Sequence, residues 1–126
     1  MLGKNKKNII ILINQNETAF LPEDDLNFLI GILTACRLTM EDVGIVNIAK
    51  NNQINYHSFE KEIIAKTVLL FGFAPSLLDL PLSFPNYQIQ AYNNITYLSS
   101  PSLAALREDK PEKMKLWTCL KTMFAV

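Results

Sequence analysis

Apolar and polar residues fall along the chain in blocks whose period changes from one block to the next. Asn8–Asn14 is a short isoleucine-rich run with polar ends, the pattern of a buried strand. Pro22 opens the next element, and Glu23, Asp24 and Asp25 occupy a first turn where acids suit the helix dipole. Leu26, Leu29, Ile30 and Leu33 then recur at helical spacing, predicting a helix that ends near Arg37. Phe28, Ile32 and Ala35 form a second apolar line on that helix. A helix apolar on two sides is either packed on both or meets a partner.

Thr39–Asp42 reads as a capped turn and Val43–Ala49 as a second strand. Asn51–Tyr56 is polar and turn-like, and Ser58–Ala65 is a short helix carrying Phe59, Ile63 and Ile64. Thr67–Phe73 is β-branched and apolar without alternation, as in a strand covered on both faces. Pro75 starts a helical turn within Ala74–Leu80, and Leu80–Asn86 is irregular, with Pro81 and Pro85. Tyr87–Tyr92 and Ile95–Leu98 read as short strands joined at Asn93-Asn94. Ser100-Pro101 predicts a helix start, and Asp109 with Glu112 predicts the cap of a last helix reaching Ala125. Met114, Trp117, Leu120 and Phe124 form the stripe expected to cover the sheet. Alternating strands and helices argue for an α/β domain whose sheet is mostly parallel, with helices on both faces.

The 126 residues fit a single domain spanning 1–126. With 49% hydrophobic and 19% charged residues, the chain has the material for a core. Twelve basic residues balance twelve acidic ones, so direct nucleic-acid binding is expected to be weak at most. The longest apolar run, Val68–Ala74, is far shorter than the roughly 20 residues of a membrane-spanning helix. Ile9–Ile13 behind Lys4, Lys6 and Lys7 is too short for a signal peptide, so a cytoplasmic protein without a membrane role is expected. Cys36 and Cys119 belong to no Cys-x-x-Cys pair and read as reduced thiols.

Few residue patterns carry chemistry. His57, the sole histidine, has no orienting partner nearby and reads as a surface or capping residue. Gly3, Gly31, Gly44 and Gly72 are isolated, so no phosphate-binding glycine motif exists and no cofactor is expected. Glu23-Asp24-Asp25 has a sufficient explanation as a helix start and need not hold a metal. Ligands of open parallel sheets gather at the carboxyl ends of strands. There the chain places Asn14–Glu17, Asn47 and Ser99–Ser102. Asn14, Asn47, Ser100 and Ser102 are the candidate crevice residues, serving as turn and cap groups or as ligand contacts. A second candidate is the loop Leu80–Tyr87, where Leu82, Phe84 and Tyr87 either meet a partner or fold back as a lid over the sheet edge.

Ser99-Ser100-Pro101-Ser102-Leu103-Ala104-Ala105-Leu106-Arg107, with Leu116-Trp117 in the helix that follows, resembles the C-terminal part of the psi subunit of bacterial DNA polymerase III. Ile9–Asn14 and the helix through Leu33 are similar to that family's opening strand and helix. The psi family itself resembles a shrunken uracil-DNA glycosylase fold, which implies a three-layer α/β/α domain. Gly44–Lys50 resembles that superfamily's second strand, where an asparagine, here Asn47, helps read the base. Thr67–Gly72 resembles the strand and glycine that follow, and Ser100-Pro101-Ser102 stands where active members have His-Pro-Ser. Serine cannot replace histidine as a donor to the leaving base with comparable electrostatic effect. The water-positioning motif is unrecognisable at Asn14–Glu17, and Leu103 matches the base-flipping wedge only loosely. The resemblance therefore implies a fold kept without its catalysis. The expected work is protein–protein interaction in a replication or repair assembly, with a chi-like or clamp-loader-like partner. Only Met1–Lys7 precede the first strand, so clamp-loader docking through an N-terminal tail is not expected. The alternative is a nucleobase or nucleic-acid binding module built on the degenerate crevice.

Overall fold

The computed structural model describes residues 3–15, 21–49, 64–81 and 83–126. The elements expected at Asn51–Tyr56 and Ser58–Ala65 therefore lie outside the described residues, apart from Ile64 and Ala65, as does His57. Five strands form one sheet: β1 (Ile9–Ile13), β2 (Val43–Asn47), β3 (Thr67–Phe71), β4 (Gln90–Tyr92) and β5 (Ile95–Ser100). Their order is β2-β1-β3-β5-β4. All pairs are parallel except the β4–β5 edge hairpin, which turns at Asn93 and Asn94, both left-handed at φ 56° and 65°. The mostly parallel α/β sheet expected from the sequence is present.

Side-chain alternation splits the core in two. Ile9, Ile11, Ile13, Val43, Ile45, Leu69, Phe71 and Leu98 point to one face. There they meet α1 (Glu23–Ala35), α2 (Leu103–Arg107) and α3 (Lys110–Phe124). Ile10, Leu12, Val46, Val68, Leu70, Ile95 and Tyr97 point to the other, under Leu78, Leu80 and Phe84. Among the described residues all three helices thus lie on one face. The opposite face is closed by the 3₁₀ turn Pro75–Leu78 and the loop after it. No helix among the described residues is long and apolar enough to cross a membrane.

Three local expectations change. Ser100 ends β5, paired with Phe71, and its carbonyl accepts the Gly72 N–H at 3.0 Å. The cap of α2 is instead Ser102, whose hydroxyl accepts the Ala105 N–H at 3.2 Å. The ladder holds Ser100 extended, so the chain leaves the sheet two residues later than the Ser-Pro signal suggests. Tyr87, with φ 66°, sits in a turn ahead of the shorter strand β4. Finally, of the expected stripe on α3 only Leu120 is fully buried, joined by Leu116; Trp117 and Phe124 pack half-buried against the core, and Met114 is 54% exposed. The helix is rotated so that Trp117 lies on its flank, facing α1.

Helix α1 is seated by Leu29 and Leu33, one turn apart, and by Asp25 one turn before them. Asp25 is 2% exposed and accepts a hydrogen bond from Arg107 Nε of α2 at 2.8 Å. The carboxylate considered for a metal patch is thus committed to an ion pair. No cluster of three or more histidine, cysteine or acidic residues able to hold a metal occurs among the described residues. Cys36 and Cys119 are free thiols.

Candidate functional site

Strands β3 and β5 run side by side, and their carboxyl ends open into a cavity of about 500 Å3. Its walls are Gly72–Pro75, Phe84–Asn86 and Ser99–Ser102. Gly72, with φ +87°, makes the turn out of β3, and a Cβ there would stand 3.0 Å from Cβ of Ser102. A side chain at this position would be strained and would push into the cap of α2.

The three serines look inward to the protein's own backbone. Ser100, 3% exposed, donates from its hydroxyl to the Pro101 carbonyl at 3.1 Å. Ser99, on the opposite face of the strand, has its hydroxyl 3.5 Å from the Phe73 carbonyl. Ser102 is the helix cap already described. No histidine, acid, lysine or arginine stands among the described residues of this wall. Acid–base chemistry needs a titratable group within reach of the reacting atom, and these residues supply none.

Asn47 and Asn14 do not join this cavity. Asn47 ends β2, separated from β5 by β1 and β3, which at about 4.8 Å per strand places it roughly 14 Å away. It is fully buried. Its Oδ1 accepts the backbone N–H groups of Gln15 at 3.0 Å and Ala49 at 3.1 Å, while its Nδ2 donates to the Gln15 carbonyl at 2.8 Å. Of the two roles open to it, turn group or ligand contact, Asn47 takes the first and ties the exits of β1 and β2 together. Asn14, just past β1, is exposed. The single crevice expected from the sequence is therefore divided: Ser100 and Ser102 share a cavity, and the two asparagines lie apart from it.

The second candidate surface is also divided. Leu82 lies outside the described residues. Phe84 is 5% exposed and packs on Tyr97, ring centroids 6.5 Å apart; of the two alternatives it takes the lid position. An aromatic ring on a loop is drawn inward here because the sheet face beneath carries no helix among the described residues. Tyr87 packs on the opposite, helical side. The loop therefore straps the carboxyl ends of β3 and β5, with one aromatic residue on either face.

Tyr87 is held by its own backbone. Its N–H donates to the Ser99 carbonyl at 3.0 Å, and its carbonyl accepts the Cys119 thiol at 3.3 Å. Burial first, and the Glu112 carboxylate second, push its phenol well above the usual tyrosine range. Neither Tyr87 Oη nor Glu112 Oε2 has a hydrogen bond of good geometry, although both are shut off from solvent. A pKa raised on folding contributes stability that is complete below the unfolded value, near 10, and is lost at higher pH. Stability should fall as pH rises above about 10, and the fall should be shallower in Tyr87→Phe. Tyr87, one of the four tyrosines, should resist ionisation until the protein unfolds. Tyrosinate absorbance during an alkaline titration tests this; four tyrosines ionising together in the folded state would contradict it.

The helical face carries a feature the sequence did not single out as a site. Helices α1 and α3 both rest on α2, and the space left between them is a groove of about 460 Å3. Phe28, Gly31, Ile32 and Ala35 form one wall; Met114, Leu116, Trp117 and Leu120 form the other. The signal in the sequence was the second apolar line of α1, which here faces the groove. No protein-family model matches the chain, and no curated protein is significantly similar to it.

Proposed function

We propose that this chain is a non-catalytic interaction subunit of a DNA replication or repair assembly, similar in kind to the psi subunit of bacterial DNA polymerase III. Its fold is read as a reduced, three-layer uracil-DNA glycosylase-like domain. The observation that carries the interaction reading is the open groove between α1 and α3, an apolar surface that the described residues leave uncovered. The replication or repair setting rests on the resemblance of Ser99–Arg107 and Leu116-Trp117. Absence of catalysis is supported by Ser100, which stands where active glycosylases have histidine and spends its hydroxyl on the Pro101 carbonyl.

The test is affinity capture from the organism of origin with identification by mass spectrometry, paired with a uracil-excision assay on single- and double-stranded DNA. The reading expects replication or repair subunits among the captured proteins and no excision above buffer. Excision that disappears in a Ser100→Ala variant would overturn it. A second reading, a nucleobase-binding module, is favoured by one observation, the polar cavity at the ends of β3 and β5. It predicts saturable binding of free nucleobases, lost when Gly72→Val fills the cavity mouth. With charge balanced overall, single-stranded DNA should bind no tighter than the roughly 10⁻⁴–10⁻⁶ M of nonspecific complexes.

A further inference from the structure

Within the interaction reading above, on which this inference rests, the groove itself specifies an occupant. We infer that it receives an amphipathic helix of a partner protein whose apolar stripe is flanked by carboxylates.

The apolar half of the argument begins at Gly31. Glycine inside a helix costs stability relative to alanine, because its backbone loses more freedom on folding. Close packing with a neighbouring element would justify it, but a Cβ at Gly31 would meet nothing within 4 Å. Among the described residues no packing calls for the missing side chain. A partner does: the gap between Phe28 and Ile32 leaves a notch in the wall of α1 into which a large side chain can seat. Opposite the notch stand half-buried Trp117 and exposed Met114, an aromatic anchor and an adaptable thioether of the kind that line helix-binding grooves. The wall from Asn27 to Ala35 rises about 12 Å at 1.5 Å per residue. That length suits two to three turns of a helix presenting residues at i, i+3 or i+4, and i+7.

Charge supplies the other half. From Leu26 to Ala35, α1 has no charged residue. Lys113 lines the groove, its ammonium 5.5 Å from the Phe28 ring centroid, and Lys121 lies 5.8 Å from the ring centroid of Trp117, a lining residue. Neither forms an ion pair among the described residues. Two uncompensated cations beside an apolar floor select carboxylates on the flanks of the incoming stripe. They also disfavour a second copy laid groove to groove, which would bring four lysines together.

A random library of 16-residue peptides, selected on the wild-type protein and counter-selected on Gly31→Gln, tests the inference. Retained peptides should carry the helical apolar spacing and more Asp and Glu than Lys and Arg. Synthetic copies should shift the emission of Trp117, the sole tryptophan. Affinity should fall at least tenfold in Gly31→Gln and again in the Lys113→Glu, Lys121→Glu double variant. Gly31→Ala should raise Tm by roughly 2–5 °C, since the methyl enters open space. Peptides that bind all variants equally, a basic selected set, or no retained peptide would overturn the inference. So would a concentration-dependent dimer that Gly31→Gln abolishes, which would assign the groove to a second copy. Acidic helical peptides that bind as expected, without any replication or repair protein in the capture experiment, would keep the groove and remove its proposed setting.

Discussion

Replacing Arg107 with alanine is expected to lower stability by about 3 kcal/mol, the lower end of what breaking a buried ion pair costs. The carboxylate left behind belongs to Asp25, whose side chain is only 3% exposed, whereas that of Arg107 is 31% exposed. The loss is thus a desolvated charge without its partner, moderated because Asp25 lies in the first turn of α1, where the helix dipole favours an anion. Domains of this size hold about 5–15 kcal/mol in total, so the variant should unfold well before the wild type in urea. The reverse change, Asp25→Ala, should cost less, because Arg107 can turn to water. Replacing both, Asp25→Leu with Arg107→Met, should recover most of the stability, since Asp25 sits on the buried line with Leu29 and Leu33. Urea melts of these proteins, with the Asp25→Ala, Arg107→Ala double variant added to close the cycle, give the coupling energy. An Arg107→Ala variant within 1 kcal/mol of wild type would show that the pair is not what docks α1 on α2.

Asn47→Ala should follow, with a loss of about 2–3 kcal/mol, because it leaves two N–H groups and one carbonyl at the strand exits without these partners. The effect should appear as a lower midpoint of urea unfolding. Asn47→Asp should not rescue it: the acid can still accept from Gln15 and Ala49 but turns an oxygen toward the Gln15 carbonyl. An asparagine kept to read a ligand would behave otherwise, losing binding while the melting midpoint stayed put. That outcome would return Asn47 to the nucleobase-binding reading.

These two residues also mark how far the candidate site was legible. Both were visible in the sequence, Asp25 in an acidic helix start and Asn47 at a strand end. Strand-end position alone makes an asparagine equally a ligand group or a clamp. The difference lies in whether its amide finds backbone partners, here Gln15, which is 32 residues away in sequence. Asp25 and Arg107 are 82 residues apart, and no local pattern connects them. An acid in register with Leu29 and Leu33 was the available sign, obscured because Glu23 and Asp24 beside it suit a helix N-terminus so well.

What the sequence determined by itself, among the described residues, was most of the elements and the class of sheet. β1, β2 and β3 follow from unbroken apolar runs, α1 from helical spacing, and the caps of α3 from Asp109 and Glu112. These are local effects: backbone propensity, period and hydrogen bonds spanning three or four residues. Only the tertiary structure decided which side of each element is inside. Rotation of α3 about its axis brought Leu116 into the core beside Leu120, left Trp117 on the flank and turned Met114 outward, because a helix with apolar residues on several sides has no single buried face until a neighbour is placed. Strand order separated Asn47 from Ser100, since hydrogen-bonded ladders, not sequence distance, set which strand ends adjoin. The groove between α1 and α3 exists for the same reason: α2 holds the two helices apart, and no property of either helix alone specifies the space between them.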